Sequence, residues 1–285
     1  MHISAIMIFL HYECDTTWQC SVHHPCANKR RAGLGFAEEL LERGFNVILH
    51  GRNEDKLTQL RSKFKDSYPT SEIRTIAADA ASFTQADVER IVAAVADIPL
   101  TILINNVGGT ASLSRNFKTY TQTTSWEVDS LLDINVRCTL QITTALLPKL
   151  AQSEGRSLIM NTGSKAAVGM PYISLYSATK ALLSAWTLAT AAELKAENVP
   201  VDMMCILVGE TQSGQNRLQE SFFVPSSRTM ARSALNRIGC GYTVVSAYWP
   251  HALQGFGTDT LPRSWLDYFV VKALQPLAKS DKEVW

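Results

Sequence analysis

Residues 100–108 read Leu100-Thr-Ile-Leu-Ile-Asn-Asn-Val-Gly108. From Leu100 to Ile104 the run is apolar but for Thr101, without the alternation of a strand that wets one face, so it is expected to be buried on both sides as in a parallel sheet. It reads as an interior strand that delivers Asn105 to its carboxyl end. Further strands are expected upstream at Phe45-Asn-Val-Ile-Leu-His50 and Ile73-Arg-Thr-Ile-Ala-Ala78, and downstream at Ser157-Leu-Ile-Met160 and 201–208. Helical apolar spacing separates them: Gly33 to Arg43, stopped by Gly44; Glu54 to about Lys65, capped by Asn53; Asp87 to Ala96; Trp126 to Leu150; and a helix through Tyr176 to Glu197. The apolar run Ile3–Leu10 fits another buried strand. Strands alternating with helices of this length form right-handed βαβ units, so the expected fold is α/β, a doubly wound parallel sheet covered on both faces. Ligands in such sheets bind beyond the carboxyl ends of the strands, where Arg52, Asp79, Asn105 and Ser164 all fall.

With 285 residues, 46% apolar and 19% charged, the chain is long enough for one large core and too apolar for extended disorder. A formal net charge of +1 offers no basic stripe for a nucleic-acid backbone, and small molecules are the expected partners. Six cysteines, at 14, 20, 26, 138, 205 and 240, follow no secretory pattern, which suits a reduced, cytoplasmic protein. Ile3–Leu10 is too short to span a bilayer. Cys14, Cys20, His23, His24 and Cys26 include zinc-type ligands, but their spacing matches no usual zinc site; an irregular segment is expected there and no metal.

Residues 1–32 therefore stand apart as an atypical N-terminal segment, and 33–285 are expected to form a single domain. Within it, about 209–285 is broken up by Pro225, Gly239, Gly241 and Pro250 and reads as a substrate lid with a C-terminal extension. Trp265–Leu274 has an apolar face expected to pack on its own domain, with a membrane surface or a dimer contact as alternatives.

Chemistry concentrates in Asn161–Lys180, NTGSKAAVGMPYISLYSATK. Residues four apart share a helix face, so the Tyr176 phenol and the Lys180 ammonium are expected to meet. A nearby cation favours the phenolate, which would bring Tyr176 toward the range useful to a general acid. Tyr176-x-x-x-Lys180, the upstream Ser164 and Asn105-Asn106-Val107-Gly108 together resemble the signatures of the short-chain dehydrogenase/reductase family. The resemblance implies a Rossmann-type fold and an enzyme that adds hydride from a nicotinamide to a carbonyl. It implies Tyr176 as proton donor, Ser164 as the hydroxyl that stabilises the developing alkoxide, Lys180 as the residue that lowers the Tyr176 pKa and holds the nicotinamide ribose, and Asn135 as the residue that orders the lysine. A helix asparagine satisfied by a backbone carbonyl is the plain alternative for Asn135. The family usually places its serine one residue further from the tyrosine, where this chain has Gly163.

By the same resemblance, Asp79 lies beside the adenine, Asn106 near the adenosine ribose, Thr211 and Ser213 at the nicotinamide amide, and Gly33 at the pyrophosphate turn. His50-Gly51-Arg52-Asn53 carries an arginine and no acid until Glu54, which favours NADP over NAD. Of the family's glycine-rich first turn, Cys26-Ala-Asn-Lys-Arg-Arg-Ala-Gly33 keeps only the last glycine. That departure supports two expectations: a non-standard start over 1–32, and, as the alternative to an enzyme, a silent dinucleotide-fold protein that has lost its cofactor loop. Phe223–Leu235, Gly239, His251-Ala-Leu253 and Leu261-Pro262 are similar to the branch of 17β-hydroxysteroid dehydrogenases and very-long-chain 3-oxoacyl-CoA reductases. That branch implies a lipophilic substrate with a 3-oxoacyl, steroid or polyketide-like ketone. It also implies a homodimer or homotetramer, and an N-terminal membrane anchor without a counterpart in this text, leaving a peripheral place at the endoplasmic reticulum as the alternative to the cytoplasm.

Overall fold

A computed structural model describes residues 5–9, 32–110, 113–212 and 219–280. Among these, seven parallel strands form one sheet in the order β3-β2-β1-β4-β5-β6-β7. The strands are β1 (Ala5–Phe9), β2 (Asn46–Gly51), β3 (Ile73–Ala77), β4 (Leu100–Asn105), β5 (Ser157–Ser164), β6 (Val201–Val208) and β7 (Val244–Ser246). The helices between them are α1 (Ala32–Glu42), α2 (Glu54–Ser67), α3 (Gln85–Ala94), α4 (Ser125–Leu132), α5 (Cys138–Ala151), α6 (Ser174–Ala196), α7 (Ser227–Leu235), α8 (Trp249–Thr260) and α9 (Arg263–Ser280). This is the doubly wound, single-domain architecture expected from the strand and helix spacing.

Both faces of the sheet are dry. Ile6, Ile8, Val47 and Leu49 enter one core cluster, whereas Met7 and Ile48, the residues between them, enter the other. Side chains that alternate between two buried faces explain why these strands read as unbroken apolar runs. The strand order reverses between β1 and β4, and β1 pairs with both β2 and β4. The sheet thus takes a central strand from inside the 1–32 segment that the sequence sets apart. The stretch between β1 and α1, with the Cys14 to Cys26 set and the expected pyrophosphate turn, lies outside the described residues, as does Ser213.

Two elements depart from expectation. The single helix expected over Trp126–Leu150 is interrupted by a π-helical turn, Asp133–Arg137, between α4 and α5. Strand β7 has only three residues, too few to carry a pattern, and is held by register against Cys205–Leu207 of β6.

The C-terminal third belongs to the same body. Glu39 of α1 is buried and accepts from Arg228 Nε at 2.8 Å and from Arg232 Nε at 3.0 Å, both on α7. Burial works against ionisation of Glu39, and the hydrogen bonds to Arg232 and Arg228 outweigh it, holding the carboxyl below its usual range. Helix α9 is pinned at its start by Arg263, which donates to the carbonyls of Val168 and Gly169 at 2.7 and 2.6 Å. It buries Leu266 and exposes Trp265, Tyr268 and Phe269, so the expected packing on its own domain holds for one face only. No helix among the described residues is long and apolar enough to cross a membrane.

Candidate active site

The carboxyl ends of β4, β5 and β6 and the first turns of α6 enclose one polar nook. Along β5 the side chains alternate. Thr162 donates from Oγ1 to Asn106 Oδ1 at 3.2 Å, and the Ser164 hydroxyl lies near enough to the Tyr176 phenol to bear on its acidity. Gly163, between them, points the other way: a Cβ there would stand 2.6 Å from Cys205 Sγ and 3.1 Å from Leu207 Cδ2. A side chain at position 163 therefore meets Cys205 and Leu207 of β6, and Ser164 is the hydroxyl that bears on the Tyr176 phenol. Ser164 Oγ also accepts from the Ala166 N–H at 3.1 Å, which leaves its own proton to donate.

Lys180 is buried one helical turn after Tyr176. Its Nζ donates to the Thr162 carbonyl at 2.8 Å and lies 5.9 Å from the Tyr176 ring centroid. Burial lowers its pKa to about 8, with the nearby Cys205 pulling the other way. Burial also raises the Tyr176 phenol above its ordinary value, and the nearby Ser164 hydroxyl opposes that shift. This corrects the expectation that the lysine makes the phenol more acidic. The i, i+4 spacing brings the pair to one face, but desolvation of the phenol dominates.

Asn135 sits in the π-helical turn and is fully buried. Its Oδ1 accepts from the Gly109 N–H at 2.7 Å, and its Nδ2 donates to the Gly109 carbonyl at 3.1 Å and to Thr179 Oγ1 at 3.1 Å. An extra residue in a helix turn often marks a functional position, because it frees one side chain to reach out of the helix's own ladder. Between Asn135 and Lys180 there is room only for a glycine. A Cβ on Gly108 would stand 2.7 Å from Asn135 Oδ1 and 2.9 Å from Lys180 Nζ.

Beneath the nook runs a buried polar chain that the sequence did not reveal. Asn105 Nδ2 donates to Thr143 Oγ1 of α5 at 2.9 Å and to Asn161 Oδ1 of β5 at 2.8 Å, and Asn161 Nδ2 donates to Thr187 Oγ1 of α6 at 2.9 Å. It fastens the helices on either side of the site to the strand ends between them. To one side, the buried Lys118–Glu127 ion pair holds the 113–124 loop, and the Lys118 N–H donates to the Tyr172 carbonyl at 3.0 Å. Tyr172, just ahead of α6, has a left-handed φ of 64°, a conformation that bulky residues keep only when their surroundings enforce it.

The remaining expected positions ring the nook. Arg52 is exposed past β2, while Asn53 caps α2 by accepting from the Lys56 N–H at 2.9 Å. Asp79, past β3, accepts from the Ala81 N–H at 3.0 Å. Thr211 is buried just past β6, and Gly33 is buried in the first turn of α1.

A family model for short chain dehydrogenases matches residues 30–221. The very-long-chain 3-oxoacyl-CoA reductase of Scheffersomyces stipitis is 32% identical over 240 residues, covering 80% of this chain and 68% of that one. The enzyme of the same name from Kluyveromyces lactis is 34% identical over 236 residues, covering 79% and 66%. Among solved structures, a 7β-hydroxysteroid dehydrogenase superposes with a TM-score of 0.75 at 17% identity, covering 95% of this chain and 96% of that one. A short-chain dehydrogenase from Sphingobium yanoikuyae in complex with NADPH gives 0.67 at 19% identity, covering 92% and 97%. At such identities the solved structures speak to the fold alone, and the family match carries the assignment. The chain belongs to the short-chain dehydrogenase family of NAD(P)-dependent oxidoreductases.

Proposed function

We propose that the protein reduces a ketone on a lipophilic substrate to an alcohol, with NADPH as the reductant and Tyr176 as proton donor. The observation that carries this reading is Lys180 buried one turn after Tyr176, with the Ser164 hydroxyl near enough to the phenol to oppose the rise of its pKa. The residues present suit a dinucleotide. Gly108 lets the backbone pass between Asn135 and Lys180 where no Cβ would fit, and the exposed guanidinium of Arg52 stands past β2, where a 2′-phosphate would be met. A bound nicotinamide supplies the hydride. Around it, Gly33, Arg52, Asn53, Asp79, Asn106, Thr211 and Ser213 would contact the dinucleotide, with Lys180 on its ribose.

The chain's own part is to handle one proton and one developing charge. The raised pKa keeps the phenol protonated near neutral pH, and Tyr176 Oη passes its proton to the carbonyl oxygen as the carbon accepts hydride. Ser164 donates a second hydrogen bond to that oxygen, which stabilises negative charge as it forms. Asn135 holds the Gly108–Gly109 backbone against the lysine's side of the nook. A 3-oxoacyl thioester is the first substrate to try, in keeping with the names of the Scheffersomyces and Kluyveromyces relatives; steroid and polyketide-like ketones follow. Assembly as a homodimer or homotetramer, in the cytoplasm or peripherally at the endoplasmic reticulum, belongs to the same proposal and rests on the resemblance.

The test is a fluorescence titration with NADPH and, separately, NADH, followed by turnover with a 3-oxoacyl thioester. Tighter NADPH binding is expected. Tyr176→Phe is expected to abolish turnover and leave cofactor affinity within about twofold, since it removes only the transferable proton. No NADPH binding at millimolar cofactor would overturn the reductase reading, and retained turnover in the variant would remove Tyr176 as the acid.

A further inference from the structure

His251, on the first turn of α8, is wholly buried and belongs to none of the groups assigned above. Its Nδ1 accepts from the Gly209 N–H at 3.1 Å, so Nδ1 carries no proton and Nε2, 3.1 Å from the Phe223 carbonyl, is the N–H that donates there. The ring packs flat against Gly209, where a Cβ would stand 2.9 Å from its Cγ. Gly209 directly follows Val208, whose register partner across the sheet is Ser164. Phe223 lies in a tight turn closed by Ser221 and Val224, whose backbones exchange hydrogen bonds of 2.9 and 3.1 Å. At its tip Phe222 and Phe223 are exposed, in edge contact with each other and, through Phe222, with Trp249.

One imidazole thus ties an aromatic turn to the strand end beside the catalytic serine. We infer that His251 is a positioning residue that locks the Phe222–Phe223 turn to Gly209. The turn then serves as a wall for the apolar part of the substrate, and the 209–211 strand end as a seat for the cofactor. This deepens the reductase reading and rests on it.

The two bonds can be cut separately. In His251→Asn the amide oxygen replaces Nδ1 and keeps the acceptor for Gly209, while the donor to Phe223 is lost. In His251→Gln the longer side chain keeps a donor for Phe223 and loses the acceptor. A net hydrogen bond is worth a factor of about five in an equilibrium. His251→Asn is therefore expected to raise KM for the thioester about fivefold, with kcat and NADPH affinity near wild type. His251→Gln is expected to weaken NADPH about fivefold and leave KM within about twofold. Hydrogen exchange at the Gly209 amide, read without cofactor or substrate, should quicken in His251→Gln and stay protected in His251→Asn.

Gly209→Ala, whose Cβ presses on the imidazole, should behave like His251→Gln and gives the same readout from the backbone side. Equal changes in both constants for the two His251 variants, or a Gly209 amide equally protected in both, would overturn the lock. If the wild-type chain fails to bind NADPH, the reductase reading falls, while the exchange measurement still decides whether His251 holds the turn.

Discussion

Gly108→Ala tests the geometry of the nook most directly. Its methyl would stand 2.7 Å from Asn135 Oδ1 and 2.9 Å from Lys180 Nζ, and its φ of +145° is one that side chains rarely adopt. Backbone strain of this kind costs about 1–3 kcal/mol. The clash adds to it. To make room, Asn135 must loosen its paired bonds with Gly109, or Lys180 its bond to the Thr162 carbonyl, at about 1 kcal/mol for a neutral bond and more for a charged one. The sum is roughly 3–5 kcal/mol, or a melting temperature lower by about 6–20 °C at ~2–4 °C per kcal/mol.

Gly155→Ala is the control. It has φ +90° and nothing within 4 Å of its Cβ, so it carries the strain without the clash. Scanning fluorimetry of the two variants therefore separates the contributions, and the difference between them measures the crowding between Asn135 and Lys180. Turnover adds a second axis. A displacement of a positioned group by about 1 Å can cost about a hundredfold in rate, so kcat/KM of Gly108→Ala should fall by that order while Gly155→Ala stays near wild type. Equal melting temperatures and equal activities for the two variants would show that position 108 does not separate the amide from the ammonium, and the description of the nook would fail.

Two further outcomes follow from the strand ends and from Lys180. Ser164→Ala should lower kcat by about a hundred- to a thousandfold, the usual loss for an oxyanion donor, and adding Gly163→Ser should not restore it because position 163 faces Cys205; rescue by the double variant would show that the serine's place on β5 has been misread. Lys180 has a folded pKa near 8 against 10.5 for the free side chain. Below about 8 the folded chain bears the full cost of a buried ammonium, and between about 8 and 10.5 only the unfolded chain holds the proton, so stability rises with pH across that window. Urea melts should show the wild type gaining on Lys180→Met over that range, and a pH-independent difference would mean that Lys180 is not desolvated.

How much of this could be read in advance depends on whether a feature is local. Strands β2, β4 and β6 were legible because a strand dry on both faces writes itself as a continuous apolar run, and the cap at Asn53 because it acts within three residues. The π-helical turn was not, and the bonds its Asn135 makes reach Gly109, 26 residues away. The same holds for the Thr143–Asn105–Asn161–Thr187 chain and for His251, whose partner Gly209 precedes it by 42 residues. A polar side chain that closes a contact across such a distance looks in the sequence like any other buried or capping residue.

The Tyr176 pKa marks the limit from the other side. Spacing along a helix shows that a cation shares its face, but desolvation is a property of everything packed around the phenol, and here it decides the direction. The displaced serine is the instructive case, because spacing counted from Tyr176 makes Gly163 the expected position and Ser164 an anomaly. Strand alternation reverses that judgement. Thr162 and Ser164 share the face that meets the nook, Gly163 faces Cys205, and a slip of one residue along a strand turns a side chain to the opposite face. If Ser164 is the hydroxyl that serves Tyr176, as proposed, the loop between them is one residue shorter than the family's for that reason. On the proposed reading, the departure from the family's spacing follows from the register of β5 on β6, where Ser164 pairs with Val208.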